Sequence, residues 1–400
     1  MEQNLIKILF ALIRSAMRGT AMSDSEKALY SNELLPDLMK LSKRHDVAHL
    51  VALGLKNNGL LTADDKDVES EIVRAVFRYE RLNHDYKKLC AALEAAEIPF
   101  IPLKGSVLRA YYPEPWMRTS CDIDVLVHRE DVERAIACLT ENLKYTAKES
   151  GTHDVSLFSP LKNHVELHFD LVEEGRANNA IAILNSVWDT VLPCGESRNW
   201  YEMSDAFFYF YHIAHMAKHI EVGGCGIRPF VDLYILDKLE TADRQARDEL
   251  LEGGGLLRFA EAARDLSLVW LEGKDEDERS CKLQRFLLHG GAYGSFDNRV
   301  ALQQKNNGGR VGYMLSRAFV PYERLVRYYP VLEKHRWLMP VMQVRRWFML
   351  FSPDVAKMAK KEISVNSKME SSTADDMGNV LREIGLSYKT TRKLLLSGGF

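Results

Sequence analysis

The segment that decides the fold is CDIDVLV, residues 121–127. Its β-branched and aliphatic residues, bounded by polar ones, predict a β-strand. Side chains alternate between the two faces of a strand, so Asp122 and Asp124 project from one face while the intervening aliphatic residues enter a core on the other. Two carboxylates this close repel each other unless a cation lies between them, and Mg²⁺ takes such oxygen ligands together with substrate phosphates. The pattern is typical of a metal site, and the alternative is a pair of solvated acids at a strand end.

A glycine-containing turn precedes this strand. Residues 98–103 are short and apolar and predict a strand that leads directly into Lys104, Gly105 and Ser106, with a helix over 107–111. Glycine lets the backbone approach a phosphate closely, serine offers a hydroxyl group, and a helix N-terminus offers free N–H groups. These features indicate a phosphate-binding turn. An ordinary strand-to-helix turn with Ser106 as the helix cap is the other interpretation.

A second acidic strand is predicted further along the chain. Residues 165–171, VELHFDL, alternate so that Glu166, His168 and Asp170 share one face. A neighbouring strand that presented Glu166 beside the two aspartates would complete a cluster of three carboxylates, and such a cluster holds two divalent ions about 3.5–4 Å apart for phosphoryl transfer. His168 and Asp170 also fit the open face of a half-exposed strand, which is the interpretation we favour for Asp170.

The regions on either side are predicted to be helical. Apolar residues recur at three- and four-residue steps before residue 93 and again after residue 200. Between them the pattern changes to short strands and helices, which predicts an α/β unit within an α+β chain. The predicted organisation is a helical region over 1–93, an α/β domain over 94–200, a helical region over 201–360, and a polar linker with a short last helix over 361–400. The local elements include helices over 66–96, 129–143 and 375–395, strands over 155–158 and 164–171, and a Ser-rich linker over 361–376.

Composition excludes several classes of protein. The 400 residues carry 53 Lys and Arg against 56 Asp and Glu, a net charge of −3, which argues against a protein that coats nucleic acid. The six cysteines are scattered without a C-x-x-C pair, so we expect neither a disulfide framework nor a zinc site, and we expect a reducing compartment. No apolar stretch reaches the roughly 18–20 residues that a membrane span needs, and we expect the first residues not to act as a signal peptide. We therefore predict a cytoplasmic protein with no membrane span.

Together these segments resemble the nucleotidyltransferase superfamily whose catalytic domain is of the DNA polymerase β type. More narrowly, they resemble its uncharacterised bacterial nucleotidyltransferase family. The resemblance covers most of the chain and is most specific between the glycine turn and the second acidic strand. Its motifs are LKGS at 103–106, Arg-x-x-x-Asp-x-Asp at 118–124, Glu-Leu-His at 166–168, His-x-x-Lys-His at 215–219, Val-Asp-Leu at 231–233, and the Arg- and Tyr-rich residues 325–346.

This resemblance implies a small mixed-sheet, palm-like nucleotidyltransferase domain between the two helical regions. Within it, Asp122, Asp124 and Glu166 are the expected catalytic residues and metal ligands, and Glu166 would also draw the proton from an attacking hydroxyl. Gly105 and Ser106 would hold the triphosphate of a nucleotide.

Basic residues near the motifs add further candidates. From charge alone, Lys104 and Arg118 are expected to bind the nucleotide, because their cations would neutralise phosphate oxygens. For Lys104 the alternative is a solvated side chain, and for Arg118 it is a salt bridge to a nearby acid, which we favour. Arg228 and Asp232 are expected to form a structural ion pair.

The implied activity is transfer of a nucleoside monophosphate from an NTP such as ATP to an acceptor, with release of pyrophosphate. The implied cofactor is Mg²⁺, with two ions at the site, or Mn²⁺ in its place. The acceptor is left open among RNA, a protein side chain, a sugar and a small molecule. Two alternatives are a non-catalytic nucleotide-binding or regulatory module, similar to one half of a toxin–antitoxin pair, and a nucleotide-sugar glycosyltransferase, which would need neither the glycine turn nor Glu166.

Two weaker patterns have open interpretations. His212, His215 and His219 share one helical face and either line the nucleotide cleft or, as we favour, pack within the helical region. Residues 317–346 contain seven Arg and Lys against two Glu, with five interleaved aromatic residues. Such a segment is able to grip single-stranded nucleic acid or a membrane surface. We favour burial of the aromatic residues in a helical core with the arginines at its rim.

Overall fold

The computed structural model describes residues 2–172, 179–369 and 371–386. Helices occupy both ends of this part of the chain, and the main strands lie between them. The described helices are α1 (Glu2–Arg18), α2 (Asp24–Lys27), α3 (Leu35–Arg44), α4 (Ala48–Asn57), α5 (Lys66–Ala95), α6 (Gly105–Leu108), α7 (Val132–Leu143), α8 (Asn179–Asn185), α9 (Asp205–Val222), α10 (Arg228–Asp237), α11 (Arg244–Gly253), α12 (Leu257–Glu272), α13 (Glu278–Leu288), α14 (Phe296–Asn306), α15 (Arg310–Ala318), α16 (Tyr322–Tyr328), α17 (Val331–Lys334), α18 (Met339–Phe348), α19 (Pro353–Lys368) and α20 (Ser371–Glu383). The described strands are β1 (Phe100–Pro102), β2 (Asp122–Val127), β3 (Thr146–Ser150), β4 (Asp154–Phe158), β5 (His164–His168), β6 (Val191–Pro193) and β7 (Tyr201–Met203).

Five of these strands form one mixed sheet in the order β1-β2-β5-β4-β3. The central strands β2 and β5 run parallel, and every other neighbouring pair is antiparallel. A parallel pair needs a crossover connection, which α7 and the hairpin of β3 and β4 provide. The expectation of an α+β chain with a small mixed sheet among helical regions is therefore confirmed.

The two faces of the sheet have opposite character. The aliphatic side chains of β2, β4 and β5 are buried against α5 and α7 in one cluster. Burial of each Val, Leu or Ile contributes about 1.5–3 kcal/mol, and a slip of one residue would exchange the two faces. The apolar set therefore fixes the register that turns Asp122, Asp124 and Glu166 to the opposite face. A second cluster joins residues of the N-terminal helices with residues of α9, α10 and α12, including the rings of Phe10 and Trp270, which stack at 4.5 Å.

Several element boundaries differ from those predicted. Of the strand predicted over 98–103, only β1 forms a strand. The helix predicted over 107–111 begins earlier, as α6, and a 3₁₀ turn follows it. Residues 129–131 form a 3₁₀ turn before α7 begins, and β5 ends three residues before 171. The predicted domain boundaries stay a prediction.

The prediction of a linker over 361–376 is wrong, because α19 and α20 occupy most of it. Polar contacts hold α19 in place, and these do not produce an apolar periodicity. Asn366 is buried and accepts a hydrogen bond from Gln304 Nε2 at 2.7 Å, and Glu362 pairs with Arg317 at 2.6 Å. The predicted last helix over 375–395 begins earlier, as α20, and residues 387–395 lie outside the described residues. Among the described helices, none combines the length and hydropathy needed to cross a bilayer.

Candidate active site

The turn between β1 and α6 carries backbone strain. Lys104 has φ 43° and ψ −116°, and sparsely populated conformations of this kind cost a non-glycine residue about 1–3 kcal/mol. Two hydrogen bonds hold the turn: the Leu103 N–H donates to the Asp124 carbonyl at 3.0 Å, and the Ser106 N–H donates to the Leu103 carbonyl at 3.1 Å. The Lys104 side chain reaches β2, where its Nζ lies 2.9 Å from Asp124 Oδ1.

The next residue, Gly105, is required by close contact and not by its backbone angles. A Cβ at this position would lie 2.6 Å from Arg118 Nη1 and 3.2 Å from Ser120 Cβ. The guanidinium of Arg118 cannot move aside cheaply, because Asp232 holds it through two hydrogen bonds. Because Gly105 has no side chain, the turn packs directly against the guanidinium of Arg118, which Asp232 holds in place.

We expect Gly105→Ala to lower the free energy of unfolding by about 1–3 kcal/mol, the usual cost of overpacking a filled space. The matched control is Gly253→Ala, where a Cβ would meet only Ile183 Cδ1, at an ordinary 3.8 Å, so we expect a change within about 0.5 kcal/mol. Denaturant unfolding of the two variants provides the comparison. Equal stability of the two would show that the contact with Arg118 costs nothing to disturb.

Three side chains from β2 and β5 converge on the polar face of the sheet. The parallel register places Asp124 beside Glu166, and His168 follows on the same face. His168 Nε2 lies 3.0 Å from Asp124 Oδ1 and 3.3 Å from Glu166 Oε2. One potential ligand atom from each of the three residues lies within 4.8 Å of the others. The group is therefore compact enough to share one metal ion.

Asp122 lines the same cavity as this group but does not belong to it. Burial, together with the negative charges of Asp124 and Glu166, raises the pKa of Asp122. Asp124 has the opposite environment: burial alone would raise its pKa, but Lys104 and His168 hold the pKa far below its usual range. The two aspartates of one strand are thus pushed in opposite directions, an arrangement common where carboxylates have different roles.

Two basic side chains, half-buried Lys104 and buried His168, lie against the carboxylates of Asp122, Asp124 and Glu166, which we call the acidic cluster. Burial opposes the charge of Lys104, yet the carboxylates, Asp124 first among them, raise its pKa above the usual value. Burial likewise opposes the charge of His168, and its hydrogen bonds with Asp124 and Glu166 raise its pKa overall. The sequence did not identify His168 as a member of the acidic group. The sequence signal that could have identified it is the strict alternation of residues 165–171, because this alternation places His168 on the same face as Glu166.

Helix α9 forms the opposite wall of a cavity of about 420 Å³. Tyr211, His212, His215 and His219 all line it, and His212 is also buried within the helical region. The three histidines therefore face this cavity, and its use as a nucleotide cleft stays a prediction. His219 Nε2 lies 3.2 Å from His215 Nε2, and His212 Nε2 lies 2.9 Å from the Pro229 carbonyl. Burial, and to a lesser degree the neighbouring basic residues His219 and Lys104, holds the pKa of His215 well below its usual value. Burial raises the pKa of Tyr211 against the opposing charge of Lys104, so its hydroxyl stays protonated.

Arg118 lies at the edge of the cavity but is committed to a buried ion pair. Its Nε and Nη2 donate to the two carboxylate oxygens of Asp232 at 3.2 and 3.0 Å, and the Tyr112 hydroxyl donates to the same carboxylate at 2.7 Å. The salt-bridge alternative for Arg118 is therefore observed. The predicted pair of Arg228 with Asp232 is wrong, because Arg228 Nη1 lies instead 2.9 Å from Asp46 Oδ2.

The remaining candidates lie at different distances from the cavity. Lys104 and Gly105 line it, whereas Ser106 does not. The Ser106 hydroxyl is buried and finds no hydrogen-bond partner among the described residues. Asp170 lies beyond the end of β5 and outside the cavity lining, and it pairs with Arg129 at 3.5 Å. Its place outside the site agrees with the favoured interpretation, although it is not part of the strand.

Comparison with known proteins gives one finding. Residues 32–272, more than half of the chain, match the family model described as uncharacterised nucleotidyltransferase. This range includes the glycine turn, both acidic strands and helix α9. Neither the curated proteins nor the solved structures include a match to the chain.

Proposed function

The chain belongs to this uncharacterised nucleotidyltransferase family, and from that premise we propose that it transfers a nucleoside monophosphate from an NTP to an acceptor, with release of pyrophosphate. One observation carries the proposal. The ligand atoms of Asp124, Glu166 and His168 lie within 4.8 Å of one another, in a cavity that Lys104 and Gly105 also line. An acidic group beside a cation is suited to a triphosphate and its counter-ions.

The donor set fits a divalent cation. Asp122, Asp124 and Glu166 offer the hard oxygen atoms that Mg²⁺ and Mn²⁺ prefer, and the nitrogen of His168 suits Mn²⁺ better than Mg²⁺. A carboxylate has about four acceptor positions, so the hydrogen bonds to Asp124 do not exhaust it. We assign two divalent ions, Mg²⁺ or Mn²⁺, to this cluster. Such ions neutralise phosphate oxygens and stabilise the charge that develops during phosphoryl transfer.

Each side chain then has a distinct task. The backbone at Gly105 approaches the triphosphate, and the Lys104 ammonium neutralises its oxygens; Ser106, which does not line the cavity, has no contact assigned to it. Glu166 accepts the proton of the acceptor hydroxyl as that oxygen bonds to the α-phosphorus. The bond from the α-phosphorus to its bridging oxygen breaks, and pyrophosphate leaves with the electron pair. Arg118 supports the turn from beneath Gly105, since its guanidinium is engaged by an acid.

Replacement of Glu166 by Gln is expected to lower turnover by about 10²–10⁴-fold, the usual contribution of a positioned general base. Nucleotide affinity is expected to change little, because Gln keeps the shape of the side chain. The assay incubates the full chain with radiolabelled NTPs, Mg²⁺ and total RNA or total protein, and measures label transfer and pyrophosphate release. Asp170→Asn is the control on the same segment, and its rate should match the wild type. An unchanged rate in Glu166→Gln would remove Glu166 from the site.

A non-catalytic nucleotide-binding module is the second candidate, and one observation favours it. Asp124 Oδ1 already accepts hydrogen bonds from Lys104 Nζ and His168 Nε2, so the protein balances much of this negative charge without a metal ion. The same assay separates the two candidates. NTP binding without label transfer or pyrophosphate release, for all the NTPs and acceptors, would support the module.

A further inference from the structure

The C-terminal helices present an exposed surface that the proposed activity does not use. The favoured interpretation of residues 317–346, with their aromatic side chains in a helical core, is wrong for three of the five: Phe319, Tyr328 and Trp337 are exposed. More apolar side chains follow at the end of α18 and beyond it. We call the following set the basic apolar face: Trp337, Val341, Val344, Arg345, Phe348, Met349 and Phe351, whose apolar members are 45–81% exposed.

Within the described part of the chain, helix α18 is attached to the rest of the protein through one side only. Its inner side is anchored, because Met339 and Met342 pack on the small core around Leu325, and the Gln343 side chain donates to the Val320 carbonyl. The outward residues at 341, 344 and 348 follow at three- and four-residue steps and therefore form one stripe. The fold fixes the helix through one side and leaves an apolar stripe on the other.

Exposed basic residues lie around the same stripe. Residues 317–351 contain seven Arg and Lys against two Glu, in a chain whose net charge is −3, but Arg324 is buried and Arg317 pairs with Glu362, so these two do not add to the charge of this surface. Arg345 lies within the stripe, and Lys334 and Arg336 are exposed beside Trp337. The arginines are held over neighbouring rings, with Arg336 4.3 Å from the Tyr322 centroid and Arg345 5.5 Å from the Tyr329 centroid. The surface thus combines outward apolar groups with positioned cations.

We propose that the basic apolar face binds the surface of an anionic lipid bilayer. A membrane interface accepts Trp, Phe and aliphatic side chains at the headgroup boundary, while Arg and Lys bind the acidic headgroups. Single-stranded nucleic acid fits less well, because Val341, Val344 and Met349 offer no aromatic surface on which a base stacks. A second copy through the same face also fits less well, because two surfaces of the same charge would meet. This association is peripheral and needs no membrane-spanning helix.

Co-sedimentation of the full chain with lipid vesicles tests the proposal. We expect binding to vesicles of phosphatidylcholine with phosphatidylglycerol, weaker binding at high salt, and little binding to phosphatidylcholine alone. Phe348→Ser and Phe351→Ser are each expected to weaken binding by roughly tenfold, since an interfacial Phe is lost. Arg345→Gln is expected to weaken it about fivefold, the contribution of one cation near such a surface. Phe77→Ser is the matched control, because Phe77 is a 63% exposed phenylalanine on α5, away from this face.

These substitutions lie at exposed positions and are expected to leave the core intact, and unchanged thermal unfolding of each variant verifies this. The proposal fails if anionic and neutral vesicles bind equally, if neither binds, or if Phe77→Ser weakens binding as much as Phe348→Ser. It also fails if a single-stranded oligonucleotide binds through the same residues in preference to vesicles. A dimer in solution that Phe348→Ser abolishes would identify the face as a contact between copies instead.

Discussion

Replacement of Asp124 by Asn is expected to reduce nucleotide transfer by at least about 10³-fold. Asp124 lies at the centre of the acidic cluster, 3% exposed, with Lys104, His168 and Glu166 around it. Loss of its charge weakens the attraction for divalent ions, whose stabilisation of transferring phosphate is worth several kcal/mol, and about 4 kcal/mol corresponds to the expected loss in rate. Binding of Mn²⁺, measured by titration in the absence of nucleotide, is expected to weaken in parallel.

A second variant separates an effect on transfer activity from an effect on the stability of the fold. Asp124→Asn leaves Lys104 and His168 with less negative charge nearby, so part of its effect could come from lost stability. Asp122→Asn carries no such cost, because burial and the charges of Asp124 and Glu166 already disfavour the ionised form of Asp122, as its raised pKa indicates. We expect Asp122→Asn to unfold at the same or a higher denaturant concentration and still to lose transfer, the usual signature of a functional residue held at a cost in stability.

Asp170→Asn serves as the control for both aspartate variants, since Asp170 is half-exposed and pairs with Arg129 outside the cavity. Its transfer rate and Mn²⁺ affinity should equal those of the wild type. If Asp122→Asn and Asp124→Asn retain both wild-type values, the acidic cluster is a structural feature and the proposed activity is wrong.

Local patterns were sufficient to predict the polar face of the sheet. Alternation in residues 121–127 and 165–171 is fixed by the pleat of a strand, so Asp124 and Glu166 could be assigned to one face before their contact was known. The same alternation contained His168. Alternation within a strand does not identify the element that lies across the cavity. The position of α9 as the opposite wall of the cavity could therefore not be derived from it.

Contacts between distant parts of the chain explain most of the remaining differences. Arg118 and Asp232 are 114 positions apart, so the salt bridge favoured for Arg118 could be predicted from the sequence, but its partner could not. Helix α19 was missed for a related reason, because buried Asn366 and Gln304 attach it through hydrogen bonds. Hydrophobic periodicity detects apolar contacts only. It also does not show whether an apolar stripe, such as that of α18, packs against another part of the protein.

Replacement of Asp232 by Asn is expected to lower the free energy of unfolding by about 3–5 kcal/mol, the cost of breaking a buried ion pair from one side. Arg118 and Asp232 are only 7% and 1% exposed, so solvent does not compensate the guanidinium when its partner loses charge. Asn keeps the shape of Asp but turns an N–H₂ group toward a donor, either Arg118 or the Tyr112 hydroxyl. Denaturant unfolding at neutral pH measures the loss.

The pH dependence of this difference has a defined sign. Burial alone would raise the pKa of Asp232, but the charge of Arg118, foremost among the opposing causes, lowers the pKa below its ordinary value of 3.8. A carboxylate with a lowered pKa in the folded state stabilises above its unfolded pKa, and this contribution is lost as the pH falls through the folded pKa. The gap between wild type and Asp232→Asn should therefore be constant near neutrality and shrink in acid below about pH 4.

An exposed pair provides the matched control. Asp265 pairs with Arg279 between α12 and α13, and its side chain is 52% exposed. Asp265→Asn is expected to change the free energy of unfolding by no more than about 1 kcal/mol, because exposed ion pairs contribute little. Equal losses in Asp232→Asn and Asp265→Asn would show that burial adds nothing to the Arg118 pair.

Replacing Tyr112, Arg118 and Asp232 together with apolar residues separates the contribution of this ion pair to stability from its contribution to function. In the triple variant Tyr112→Phe, Arg118→Met and Asp232→Leu no charge stays buried without a partner, and such apolar replacements are often neutral or stabilising. We expect the triple variant to recover most of the stability that Asp232→Asn loses. The turn at Gly105 would nevertheless lose the guanidinium on which it rests, since Arg118 Nη1 occupies the space beside it. KM for the NTP should then rise while the protein stays folded, and a stable triple variant with a wild-type KM would limit the ion pair to a role in folding.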